Sequence, residues 1–389
     1  MTRAFLGALG LVVAAVWAGL AQAGGPRLLG IETGLLHGPI VTVDSAGELP
    51  YRAFVLTGPP RLVLDFAASE IAETAPDLTA PVVAYRAGRL AGGWSRMILE
   101  LDAPHIIAKV GRSPKAGLQV RLRRAGARAM ARAAELAPGP DVLRAPPRDL
   151  PAPPADKVRI VLDPGHGGVD PGALRDGVSE KDIVLAFARE FAVQLEATGR
   201  YDVILTRRGD DFLLLQDRVE RARAARADLF ISLHVNTVTE GVASGATLYV
   251  ASETASDAQA AAFARWENER DRHAGVPDRA LPGDVAMTLL DLERGPTEVR
   301  SRMAAESLVD ALAESAGTVR SRPLRKADFK VLRAPDMVSV LLELGFLSHP
   351  VDRANMTSPD WRARVGETMI GALDAWIAAD RDFLALMRE

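Results

Sequence analysis

The 389-residue chain contains six histidines and no cysteine, so any metal or proton-transfer chemistry must draw on imidazoles and carboxylates. Disulfides, iron–sulfur clusters, thiolate zinc sites and a cysteine nucleophile are excluded. Two histidines stand where an α/β sheet presents ligands. His166 follows the apolar run Ile160-Val161-Leu162 within Asp163-Pro164-Gly165-His166-Gly167-Gly168, a glycine-rich turn past the carboxyl end of a predicted strand. His234 lies in Leu229-Phe230-Ile231-Ser232-Leu233-His234-Val235-Asn236. A period of two turns Ile231, Leu233 and Val235 to one side and Ser232, His234 and Asn236 to the other. Such a polar row on a strand expected to be apolar on both faces points to a site.

Two carboxylates join them. Glu180 sits in Ser179-Glu180-Lys181-Asp182, which opens a predicted helix with Ser179 as N-cap and Asp182 as its capping-box acid. Ile183, Val184 and Phe187 follow at helical spacing, so Glu180 belongs to the stripe that faces the sheet. A carboxylate turned inward needs a partner, and a cation serves best. Glu343 interrupts the apolar strand Val338 to Phe346, where burial without a partner would be costly or would force protonation. His166, Glu180 and His234 form the His2Glu ligand type of a catalytic Zn2+ that keeps one position open. Glu343 is then the spare carboxylate, suited to take a proton from water and return it to a leaving amine.

The elements that must position these residues follow from the pattern along the chain. Residues 1–23 read as a secretory signal peptide: Arg3, an apolar run from Ala4 to Leu20, and the small-x-small end Ala21-Gln22-Ala23. An uncleaved membrane anchor is the alternative for that run. Residues 24–125 show short apolar alternations broken by glycine and proline, the spacing of a small all-β sandwich. Residues 126–156 are rich in Ala, Arg and Pro and read as an extended linker. From Lys157 to the end, strand-like runs alternate with helical segments, giving an α/β domain with a mainly parallel sheet covered by helices on both faces. The composition is that of a globular chain, 48% hydrophobic and 25% charged. Its net charge of −3 conceals +4 on residues 24–155 and −8 on residues 156–389, with Arg3 completing the sum, and argues against a nucleic-acid partner.

The motifs DPGHGG with His166, SEKD with Glu180, LTRRGDDF around Arg207, ISLHVN with His234 and VLLELGFLSHP with Glu343 resemble the zinc-dependent amidase-3 family of periplasmic N-acetylmuramoyl-L-alanine amidases. The resemblance covers nearly all of Lys157 to Ala378. It implies that His166, Glu180 and His234 bind zinc and that Glu343 is the catalytic acid/base. The implied reaction hydrolyses the amide between the lactyl group of N-acetylmuramic acid and L-alanine of the peptidoglycan stem peptide, in cell-wall remodelling and daughter-cell separation. Ser232, Asn236 and Arg207 are expected to contact substrate or support the ligands. Phe54 to Asp65 is similar to part of the AMIN module, an all-β peptidoglycan-binding domain. Residues 253–300 form a long charged insertion. In division-associated members of the family a helix here covers the site, with one glutamate at the open zinc position until a LytM-type activator removes it. Glu267 matches that role, and a solvated helix face is the alternative. The expected molecule is a periplasmic monomer. Two other classes compete: a non-catalytic cell-wall-binding regulator, and a zinc peptidase acting on the stem peptide.

Overall fold

In a computed structural model, the protein is described over residues 25–34, 38–44, 49–68, 70–113, 117–145, 152–238, 243–277, 294–317 and 322–387. The expected signal peptide lies outside the described residues. The chain divides near Pro138 into two compact units.

The first unit contains β1 (Arg27–Gly34), β2 (Gly38–Asp44), β3 (Tyr51–Leu56), β4 (Arg61–Phe66), β5 (Val82–Leu90), β6 (Trp94–Leu101), β7 (His105–Ser113) and β8 (Gly117–Arg124). One sheet has the order β1-β2-β8-β7, and in the other β5, β6, β4 and β3 lie side by side. Leu28, Val41 and Val120 from the first sheet share a core with Leu62, Leu64, Met97 and Leu99 from the second, which makes a sandwich. The segment that resembles the AMIN module is the antiparallel β3–β4 hairpin. On the face of β4 and β6 opposite this core, Arg96 donates to both carboxylate oxygens of Asp65, at 2.6 and 2.9 Å, so the two buried charges satisfy each other.

The stretch expected as an extended linker differs in its first half. Helix α1 (Ala127–Ala134) forms there, and Met130 is buried in the sandwich core. Alanine and arginine are good helix formers, and the prolines that argued for an extended chain start only at Pro138.

The second unit is built on a six-stranded sheet of order β12-β9-β14-β17-β15-β16. Its strands are β9 (Val158–Pro164), β12 (Tyr201–Leu205), β14 (Leu229–Asn236), β15 (Thr247–Ala251), β16 (Leu324–Ala327) and β17 (Ser339–Phe346). The first four in spatial order run parallel, β15 is antiparallel to β17, and β16 is parallel to β15. Three two-residue strands, β10 (Leu174–Arg175), β11 (Val178–Ser179) and β13 (Asp211–Phe212), lie in the connections.

Helices cover both faces. Against one pack α2 (Glu180–Ala197), α6 (Arg294–Ser315) and α8 (Pro359–Leu386), burying Phe187, Leu308 and Trp376 among Leu233, Val235 and Leu342. Against the other pack α3 (Leu215–Ala224) and α4 (Ala258–Asn268), whose Val219 and Ala264 meet Phe230, Tyr249 and Leu341. The short α5 (Arg270–His273) continues α4, and α7 (Pro350–Thr357) precedes α8. The expected insertion therefore contains α4 and α5, while its last residues belong to α6. No helix among the described residues is long and apolar enough to cross a membrane. Leu342 lies in β17, between β14 and β15, so Leu342→Ala should lower the stability of this unit by roughly 2–5 kcal/mol, read as a lower denaturation midpoint in urea.

Candidate active site

The side chains that carry chemistry converge at the carboxyl ends of β9 and β14, on the sheet face that α3 and α4 cover. His166 leaves β9 through a turn in which it adopts φ 57°, a left-handed conformation unusual for a residue with a Cβ. Two arginines hold that turn by its carbonyls. Arg207 donates to Pro164 and Gly165, and Arg218 donates to Pro164 and His166. Lys181 adds a bond from Nζ to the Gly168 carbonyl. The glycines are steric requirements: a Cβ on Gly165 would come 2.5 Å from the His234 ring, and one on Gly172 would come 2.5 Å from a Glu180 oxygen.

The two imidazoles lie with centroids 5.0 Å apart, edge to face. Glu180 Oε1 stands between them, 2.9 Å from His166 Nε2 and 3.1 Å from His234 Nδ1. It is fixed by backbone amides, Val235 N–H donating to Oε1 and Ala173 N–H to Oε2. Glu267 reaches the same point from α4, its Oε2 3.8 Å from His166 Nε2 and 3.7 Å from His234 Nδ1. His166, His234 and Glu267 each offer a ligand atom, all within 4.8 Å of one another. His166 Nδ1 donates to Asp170, which orients the ring so that Nε2 faces the carboxylates. The short Nε2 to Glu180 approach lies off a hydrogen-bonding line, and both His166 Nε2 and Glu267 Oε2 lack a hydrogen-bond partner. Buried nitrogen and oxygen atoms aimed at one point, close yet unbonded, suit shared ligation of a cation.

Electrostatics point the same way. Burial would lower the His166 pKa, but the carboxylates of Glu180, Asp170 and Glu267 overcome it and push it up to about 10. Glu180 is held well below the ordinary carboxylate range; its burial is outweighed by His166 and His234. Glu343 moves the other way. It is fully buried opposite His234 in the β14–β17 register, and burial, with the negative charges of Glu180 and Glu267, raises its pKa well above the usual range. Neither of its oxygens has a hydrogen-bond partner.

The supporting residues differ in part from expectation. Arg207 is only 1% exposed and is spent on backbone carbonyls, so it braces the His166 turn and does not present a guanidinium to substrate. Ser232 is also buried; its hydroxyl donates to Asp163, which further accepts from Thr206 and Arg218. Asn236 accepts from the Thr237 amide, and a register irregularity follows His234, so no described hydrogen bond joins Asn236 to the imidazoles. Ser179 precedes α2 without capping it, its hydroxyl donating instead to Asp182. Sequence reasoning missed Asp170 and Arg218. Asp170, four residues after His166, carried a signal of proximity; Arg218 lies in a charged helix with nothing to distinguish it.

Several contacts tie α4 and α5 over the site. Arg270 is 3.6 Å from Asp170 and 3.5 Å from Glu267, with its guanidinium over the Trp266 ring. Asn268 bonds to the Asp328 carbonyl and the Lys330 amide. Asp271 accepts from Leu215 N–H and so caps α3, whose own N-cap residue, Leu214, has no side-chain acceptor.

Comparison with known proteins gives a family match to N-acetylmuramoyl-L-alanine amidase over residues 160–375. The chain is 33% identical over 372 residues to the amidase AmiC of Neisseria meningitidis serogroup B, covering 87% of this chain and 86% of that protein. It is 30% identical to AmiC of Escherichia coli O6:H1, with the same two coverages. Among solved structures, an N-acetylmuramoyl-L-alanine amidase from Clostridium difficile 630 aligns with a TM-score of 0.43 at 21% identity, covering 58% of this chain and 98% of that one.

The α3 cap carries a pH dependence. Burial raises the Asp271 pKa to about 6, outweighing the Leu215 amide, Lys330 and Arg218, while Asp217 adds to the rise. A raised folded-state value means that the contribution of Asp271 to stability is full below about pH 4 and is lost as the pH climbs through 6. Asp271→Asn keeps the acceptor without the charge. It should raise the melting temperature at pH 7.5 by a few degrees and leave it nearly unchanged at pH 4, as read by calorimetry at both values.

Proposed function

The chain belongs to the amidase-3 family of N-acetylmuramoyl-L-alanine amidases, and we propose that it is a zinc-dependent, exported peptidoglycan amidase whose active site is closed by α4. The substrate bond is the amide between the lactyl group of N-acetylmuramic acid and the first alanine of the stem peptide. The observation that carries the reading is the convergence of His166, His234 and Glu180, with Glu343 buried beside them and without a hydrogen-bond partner.

His166, His234 and Glu180 are the residues that would hold the ion, and the fit rests on the buried, unpartnered His166 Nε2 lying 2.9 Å from the Glu180 Oε1 that His234 Nδ1 also approaches at 3.1 Å. When bound, zinc supplies Lewis-acid polarisation of the amide carbonyl and acidification of water. Asp170 keeps His166 in the orientation that leaves Nε2 free to ligate. Glu343 takes the proton of the attacking water and delivers it to the departing amide nitrogen. Its raised pKa favours a group that carries a proton through the reaction. Ser232 and Asp163 hold the strand ends beneath.

Glu267 is assigned to the position that substrate must take, so α4 is an autoinhibitory element. Its proximity to both imidazoles supports this, as does the burial of its carboxylate on a helix whose Trp266 is half exposed. A LytM-type activator would displace it. The N-terminal sandwich is assigned to peptidoglycan binding, residues 1–23 to export into the periplasm, and the biological setting to daughter-cell separation.

Digestion of purified sacculi followed by mass spectrometry tests the chemistry. Free stem peptides and peptide-free glycan are expected, lost with a chelator, regained with zinc, and absent for Glu343→Gln. Shortened stems would identify a peptidase, and binding without products an adaptor. Deleting Ala258 to Asp291 should raise basal hydrolysis; unchanged activity in a folded deletion variant would remove the autoinhibitory assignment.

A further inference from the structure

Beside Glu343 the sheet places a second buried polar group that no part of the mechanism above uses. Thr247 and Glu343 are directly opposite partners in the antiparallel β15–β17 ladder, and Glu343 is in turn opposite His234 across β17 and β14. The three side chains form one transverse row on the face that carries the site. Thr247 is 2% exposed and Glu343 fully buried. The Thr247 hydroxyl and both Glu343 oxygens lack hydrogen-bond partners. Buried hydroxyls and carboxylates are almost always bonded, so two unpartnered groups in register are complementary: one can donate, the other only accepts when ionised. Directly opposite residues hold their Cβ atoms about 4.5–5.5 Å apart, and rotation about one or two side-chain bonds closes that gap to a hydrogen bond.

We infer that Thr247 is a positioning residue for Glu343: its Oγ1–H donates to one carboxylate oxygen and turns the other toward the water that attacks the amide. The inference rests on the assignment of Glu343 as the proton carrier. It supplies what that assignment lacks, a group that fixes the orientation of a carboxylate whose neighbours are an imidazole and two further carboxylates. Those neighbours cannot do it: Glu180 is engaged by the Val235 and Ala173 amides, and Glu267 repels Glu343. A purely structural threonine in a strand makes a different prediction, because valine has the same shape and an equal preference for a strand.

The test uses the full-length protein, with and without Glu267→Gln to release α4, in steady-state hydrolysis of a soluble muropeptide. Thr247→Val should lower kcat roughly 10- to 100-fold, the loss expected for a hydrogen bond to a charged group, with KM within about twofold. Thr247→Ser should recover most of that loss. Zinc affinity, measured by chelator competition, and the melting temperature should remain those of the parent. A Thr247→Val protein with the parental kcat overturns the inference, and so does a serine variant no better than valine. A kcat loss matched by lost zinc affinity also overturns it, because Thr247 would then act on the ligands. If neither parent releases stem peptides, the assignment of Glu343 fails and the inference falls with it; if a parent does and Thr247→Val keeps pace, only the inference fails.

Discussion

Asp170, Glu180, Glu267 and Glu343 are buried around two imidazoles, and carboxylates gathered in that way require positive charge at their centre. Much of the second unit answers to that requirement. With only protein groups present, the proton on His166 is held up to about 10 by its three carboxylate neighbours. A divalent ion meets the same demand better, because it engages several donors at once. The closing helix also obeys it: α4 brings a further negative charge into the site together with Arg270, placed between Glu267 and Asp170. The element that covers the centre thus carries its own counter-charge.

The second constraint is mechanical. A buried imidazole in a left-handed turn has to be held there, and the carbonyls of Pro164, Gly165, His166 and Gly168 are each met by a buried cationic side chain. Burial and the neighbouring Arg218 lower the Arg207 pKa to about 10, which still leaves it charged at neutral pH. Asp163, accepting from Thr206, Arg218 and Ser232, joins two strands, the residue that follows β12 and a helix under the site. The glycines complete the arrangement, since a methyl group at Gly165 or Gly172 would occupy space taken by His234 or Glu180.

Much of this was legible in the residues, and the reasons are specific. The alternation in β14 separated the core-facing Ile231, Leu233 and Val235 from the face that carries Ser232 and His234 because strand geometry projects successive side chains to opposite sides. The helical stripe after Glu180 marked it as inward because Ile183, Val184 and Phe187 must be buried. What was not legible depended on partners distant in the chain. Arg207 and Ser232 stand in the motifs, which left open contact with substrate or support of the ligands, and their side chains point to carbonyls and to Asp163. Proximity in sequence says little about the direction of a long flexible side chain. The helix at Ala127–Ala134 was hidden by prolines farther along, although its own residues favour helix and Met130 supplies the anchor.

By itself the sequence determined the division into a β-unit and an α/β-unit, the strand and helix periods, and the four groups His166, Glu180, His234 and Glu343, because each sits in a local pattern that dictates its face. Only the tertiary structure decided which groups share one point in space. It brought Glu267 to the imidazoles, set Arg218 and Asp170 behind His166, and put Thr247 opposite Glu343. Those relations depend on strand order, register and the path of α4 over the sheet. They are long-range packing outcomes, and short-range periodicity carries no information about them.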